Sequence, residues 1–159
     1  MKRTEIKKLF TAVQEYTSAP VTVCGWAKTI RDSKSIGFIE LNDGSSFQNL
    51  QVVLEAGKLE NFSEVVKLNV GSALVVRGSI LLTPDAKQPF ELHADAVEIE
   101  GASTPDYPLQ KKRHSLEFLR SIAHLRPRTN TFAAVFRVRS VAAYAIHKFF
   151  NERGFVYVH

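Results

Sequence analysis

Sulfur is scarce in this sequence: the chain of 159 residues carries one cysteine, Cys24. One thiol cannot close an internal disulfide or furnish a multi-cysteine zinc site. Long apolar runs are missing as well. No stretch of 18 apolar residues occurs, which leaves no candidate for a membrane-spanning helix. The first 30 residues contain Glu5 and Glu15 and no continuous apolar core of a secretory signal. A cytoplasmic location is the expectation. Familiar catalytic signatures are absent too: there is no GxGxxG, GxxxxGK[ST], HExxH or GxSxG. The five histidines, at positions 93, 114, 124, 147 and 159, never reach the short spacing of a metal-ligand pair. No metal centre and no catalytic residue is expected in this chain.

What is present suits a packed core, since 45% of the residues are hydrophobic and 23% are charged. The charge is unevenly spread. Residues 1–35 hold seven basic against three acidic side chains, residues 36–102 four against ten, and residues 103–159 ten against three. The two basic ends could meet a polyanion, or could simply be solvated faces.

Periodicity divides the chain. Ile6, Leu9, Phe10 and Val13 recur at helical spacing, with Thr4 as a candidate cap and Pro20 beyond the end. Residues 21–30 are β-branched and alternating, a long strand in which Gly25 marks a bulge or bend. Further strands are expected at 37–41, closed by the turn residues Asn42 to Ser45, and at 50–54. Helical spacing returns over 58–68, and strands follow at 73–77 and 90–99 with Pro84 and Asp85 turning between them. Three strands, a helix and two strands is the element order of the OB-fold, a five-stranded barrel that binds oligonucleotides on its second and third strands.

Residues 101–108 have linker composition. A short amphipathic helix at 115–124 and a long one from a cap at Asn130 to a stop at Gly154 come next, and residues 155–158 read as an opening strand. The expected domains are a barrel over 1–102, a hinge over 103–114, and the truncated opening of a second domain over 115–159.

The chemically informative stretch runs from Trp26 to Val53. It holds Lys28, Arg31 and Lys34, then Phe38, then Gln48, Asn49 and Gln51. Single-stranded nucleic acid asks for such a set: cations for phosphates, an aromatic face for an unstacked base, amides for a base edge. Phe38 reads either as barrel core or as an outward aromatic. Alternation places Ile39 and Leu41 on one face and Phe38, Glu40 and Asn42 on the other, which favours Phe38 outward.

The segment VCGWAKTIRDSKSIGFIELNDGS, residues 23–45, resembles the anticodon-binding domain of class IIb aminoacyl-tRNA synthetases, the aspartyl, asparaginyl and lysyl enzymes. The segment YPLQKKRHSLEFLRSIAHLRPRTN, residues 107–130, is similar to the asparaginyl branch of that family, and FFNERGF at 149–155 resembles the class II motif 1 helix. The resemblance implies an all-β OB-fold barrel with an N-terminal helix, then a linker and the helical start of a class II α+β catalytic domain. It implies anticodon recognition within an enzyme that joins asparagine to tRNA through an aminoacyl-adenylate, using ATP and Mg²⁺, as a homodimer. Motifs 2 and 3 of the family are not in this sequence, so the chain alone should not charge tRNA. By the same resemblance Phe38 matches the residue that stacks on an anticodon base and Gln51 the amide that reads the central uridine. Arg31 matches a basic residue near the anticodon, and Glu91 an acidic residue of the last strand. Lys28 and Lys34 are phosphate candidates on charge and position alone. Two other readings compete with this one. An aspartyl- or lysyl-type relative fits residues 114–130 less well, and a stand-alone OB module binding protein or general single strands needs neither the linker nor the long helix.

Overall fold

A computed structural model of the chain describes residues 2–86 and 88–159. Its contacts divide into a first unit ending at Arg113 and a second of His114–His159.

The first unit is a closed five-stranded barrel. Its strands are β1 (Val21–Ser33), β2 (Ile36–Asn42), β3 (Leu50–Glu55), β4 (Ala73–Leu82) and β5 (Phe90–Gly101), in the spatial order β1-β2-β3-β5-β4. The pairs are antiparallel except β3 with β5, which run parallel, and β1 closes onto β4. Strands form because β-branched residues alternate with polar ones, so one side of each pleat can be buried. Val21, Val23 and Ala27 of β1, Ile39 and Leu41 of β2, and Leu50, Val52 and Leu54 of β3 fill the interior with Leu74, Val76 and Leu92.

The bulge in β1 is not at Gly25. The register shifts between Ala27 and Thr29, around Lys28, whereas Gly25 pairs regularly with Leu74. Glycine is needed there for a different reason: a Cβ would lie 2.7 Å from the Asn42 carbonyl oxygen. The extra residue at Lys28 turns Thr29 and Arg31 together onto the face opposite that of Ala27, so that Arg31 stands opposite Phe38 of β2.

Helix α1 (Ile6–Ala12) closes the end where β1 begins and β2 finishes. Ile6 and Leu9 are buried there, and Phe10 packs 4.8 Å from the ring of Phe90. Thr4 does not cap it. The Ile6 N–H donates to Asp43 Oδ2 at 2.9 Å and the Lys7 N–H to Ser45 Oγ at 3.0 Å, so the β2–β3 loop satisfies the helix start from a distance. At the other end, the expected helix over 58–68 is α-helical only as α2 (Phe62–Val65), with turns on either side. Leu59, Phe62 and Val65 point into the core, and Asn61 Nδ2 donates to the Val97 carbonyl. The apolar spacing there reflects a barrel plug of successive turns.

Residues read as a linker bond to the barrel. Ser103 donates to Ser72 Oγ and to the Val70 carbonyl and accepts from Asn69 Nδ2. Gly71, at φ +92°, leaves room for the Tyr107 ring, which a Cβ would meet at 2.8 Å.

The second unit contains α3 (Leu116–Ser121), capped by Ser115, and α4 (Asn130–Asn151). Thr129, rather than Asn130, caps α4, its Oγ1 accepting from the Phe132 N–H. Gly154 ends the run in the left-handed region at φ +81°, as expected. Residues 155–158 are not a strand, because among the described residues this unit has no neighbouring strand to pair with them. Phe149, Phe150 and Phe155 remain about half exposed. No helix among the described residues is long and apolar enough to cross a membrane.

Candidate nucleic-acid interface

The two-residue turn at Lys34 and Ser35 joins β1 to β2, with Lys34 at φ +62°. From that hairpin the register sets one outer face. Arg31 stands opposite Phe38 and Thr29 opposite Glu40; Phe38 stands opposite Val53 and Glu40 opposite Gln51; Val53 stands beside His93 of β5. Side chains two apart share a face, so Arg31, Phe38, Glu40, Gln51, Val53, Glu91 and His93 form one surface. Ile39 and Leu41, on the reverse side, are fully buried, whereas Phe38 is only partly so. The outward reading of Phe38 is the one the barrel adopts.

Contacts on this face fix orientations. The Arg31 guanidinium carbon lies 5.7 Å from the Phe38 ring centroid. Gln51 Nε2 donates to Glu91 Oε1 at 2.6 Å, and the Gln51 backbone N–H donates to Gln88 Oε1 at 3.3 Å. Asn42 Nδ2 donates to Asn49 Oδ1, and Asn49 Nδ2 in turn to Glu40 Oε2. Beyond Val53, Glu55 accepts from Lys58 at 2.8 Å, and this bond holds its carboxyl below the ordinary carboxylate value, with His93 adding to the effect.

Four of the sequence candidates, Arg31, Phe38, Gln51 and Glu91, thus sit together. Lys34 is exposed at the hairpin tip and Lys28 partly buried at the bulge, on the approaches to the face. Sequence reading placed Glu40 on the face of Phe38 but named neither His93 nor Gln88. The signal for His93 was there: it stands two residues after Glu91, hence on the same face. Among the described residues no group of three His, Cys, Asp or Glu side chains could hold a metal ion.

A closed five-stranded barrel presenting a guanidinium, a partly exposed aromatic and an oriented amide on its first three strands has the makeup of a nucleic-acid-binding OB-fold. The chain belongs to the OB-fold nucleic acid binding domain family, whose tRNA anti-codon profile matches residues 21–100. The chain is 66% identical over all 159 residues to an asparagine–tRNA ligase of Acetivibrio thermocellus and 59% identical to one of Alkaliphilus oremlandii, covering 34% of each. It therefore spans about a third of the length of the curated relatives it matches. Its fold is similar to an asparaginyl-tRNA synthetase from Pyrococcus horikoshii complexed with asparaginyl-adenylate, at a TM-score of 0.87 and 21% identity, over 100% of this chain and 36% of that one.

Proposed function

We propose that the outer face of β1, β2, β3 and β5 reads the anticodon of an asparagine tRNA as part of an asparagine–tRNA ligase. The observation that carries this reading is the Gln51–Glu91 pair. An ionised carboxylate only accepts, so the group Gln51 turns toward Glu91 is its NH₂, and Oε1 is left as the acceptor. Uracil presents an N3–H donor between two carbonyl acceptors. An amide held in this way meets it with Oε1 accepting and the second Nε2–H donating. Cytosine stacked at the same place presents an acceptor at N3 and a donor at N4, and needs the amide reversed. Reversal would set Oε1 against the Glu91 carboxylate. Glu91 turns a permissive amide into one that selects uracil.

Phe38 supplies the stacking surface that holds the base in place, and Arg31 the adjacent positive charge. Lys28 and Lys34 supply phosphate contacts. In this arrangement residues 1–102 are the anticodon-binding domain, 103–114 the hinge and 115–159 the opening of the catalytic domain. Likeness to the ligase relatives supports the wider reading: a cytoplasmic homodimer, with α4 at the subunit contact, that activates asparagine with ATP and Mg²⁺. Those cofactors would be held by segments of the parent enzyme outside these residues, and this chain contributes RNA binding and orientation.

Filter binding of stem-loops that differ only in anticodon tests the reading. The asparagine anticodon should bind more tightly than the same loop with a central cytidine. Equal binding to all loops overturns it in favour of a general single-strand or protein-binding barrel.

A further inference from the structure

We propose that His93 is a positioning residue for the uracil-selective amide, so that anticodon discrimination by this barrel tracks the protonation of His93. The proposal deepens the anticodon reading and rests on it.

His93 lies between two carboxylates. Its Nδ1 is 3.5 Å from Glu55 Oε1 and its Nε2 is 3.7 Å from Glu91 Oε2. The side chain is 29% exposed and that of Glu91 18%. His93 Nε2 is itself enclosed and makes no hydrogen bond among the described residues. The two Glu91 oxygens therefore have different neighbours: Oε1 accepts from Gln51, and Oε2 faces the imidazole. The other groups around the ring are Lys58, which bonds Glu55, the exposed Asp95 farther along β5, and uncharged Ser79 opposite on β4.

A protonated ring has one N–H for each carboxylate. A neutral ring has only one, and a lone pair must then face a carboxylate at the other end. Glu55 already has Lys58 as a counter-charge and remains ionised, since its carboxyl is held below the usual value. Glu91 has no cation but His93 within ion-pair distance among the described residues. When the ring loses its proton, Glu91 loses its one counter-charge and keeps only neutral donors in a poorly hydrated place. It can regain hydration by rotating toward solvent, and rotation breaks its grip on the Gln51 amide. The lock is tight when His93 is charged and loose when it is neutral.

The test compares affinities for stem-loops with central uridine and central cytidine between about pH 6 and pH 8. In the wild type the uridine-to-cytidine ratio should fall by roughly threefold to tenfold as pH rises, the effect of loosening one charge-assisted hydrogen bond. His93→Gln keeps an N–H donor but has no charge and cannot titrate, so its ratio should stay near the wild type's alkaline value at every pH. His93→Ala should be low and flat. Without RNA, the Gln51 side-chain amide resonances should move with pH in the wild type and stand still in His93→Gln. Coincident ratio profiles for wild type and His93→Gln, or unmoving Gln51 resonances, overturn the proposal and leave the anticodon reading intact. A wild type with no uridine preference at any pH overturns the anticodon reading and the discrimination claim together, while the Gln51 resonances still decide whether His93 is coupled to the amide.

Discussion

The Arg31 guanidinium lies over the ring of Phe38, 5.7 Å from its centroid, across the antiparallel β1–β2 pair. This contact exists because the bulge at Lys28 turns Arg31 onto the outer face, where it meets Phe38 in register. The cation is thereby placed beside the surface on which a base would stack. In the proposed reading, charge for the backbone and a π-face for the base act at one point.

Phe38→Ala should weaken stem-loop binding by roughly 1–3 kcal/mol with little change in anticodon preference, because every base has a π-face. Its thermal stability should change little, since the residue faces outward. Ile39→Ala, one position away in the core, should cost about 2–5 kcal/mol of folding instead. Melting curves and affinities on both variants check the contrast. A Phe38→Ala protein that unfolds would refute the outward assignment.

Gln51→Ala should erode the preference for a central uridine. Glu91→Ala should do so as well, even with Gln51 in place, because the released amide can flip to meet cytosine. Affinity ratios for the two loops measure this. A Glu91→Ala variant that keeps the wild-type ratio would show that Gln51 is oriented by something else.

Raising salt should weaken binding with a slope near −0.7 per phosphate contact on a logarithmic plot, the value for single strands. Lys28→Ala and Lys34→Ala should lower affinity for cognate and near-cognate loops alike and flatten that slope. A salt response identical to wild type would remove the phosphate role from the residue changed.

Asp43 caps α1 across 37 positions of sequence and also accepts from the Ser45 hydroxyl within its own loop. Asp43→Ala should cost about 1–2 kcal/mol of stability, the range for losing a helix cap. Urea melts would register it as a lower midpoint, with α1 amides losing hydrogen-exchange protection ahead of the strands. Full protection of α1 in the variant would contradict the remote cap.

The aromatic residues of the second unit differ in cover. Phe132 is partly buried with Arg126 over its ring at 4.8 Å, whereas Phe149 stays 49% exposed even with Arg153 over it at 3.6 Å, and Phe150 and Phe155 are 47% and 61% exposed. Surfaces of this kind associate. Sedimentation should show concentration-dependent self-association, with α4 amides exchanging faster than those of the barrel in dilute samples. A monomer at all concentrations whose α4 is as protected as β4 would run against this expectation.

Much of this protein is written in local pattern. Alternation at period two and helical spacing locate the five strands and α1, because burying one face of a strand or helix depends on residues a few positions apart. The same alternation turns Phe38 outward and Ile39 inward, and the family likeness points to Arg31 and Phe38 within residues 23–45, and to Gln51 beyond them, before any coordinates. Other features depend on closure. The bulge sits at Lys28 and not at Gly25 because matching β1 to β2 on one side and β4 on the other requires an extra residue there, and glycine composition does not report that mismatch. Asp43 caps α1, and Gln51 meets Glu91 forty positions away, only because the barrel brings a loop to a helix start and lays β3 parallel to β5. Sequence decided which side chains of β2 and β3 face outward, and closure, through the bulge, added Arg31 to them. Tertiary closure decided which of them touch, and so made a carboxylate, an amide and the unanticipated His93 into one hydrogen-bonding and ionic row, since contact between distant strands is a property of register and not of any local run.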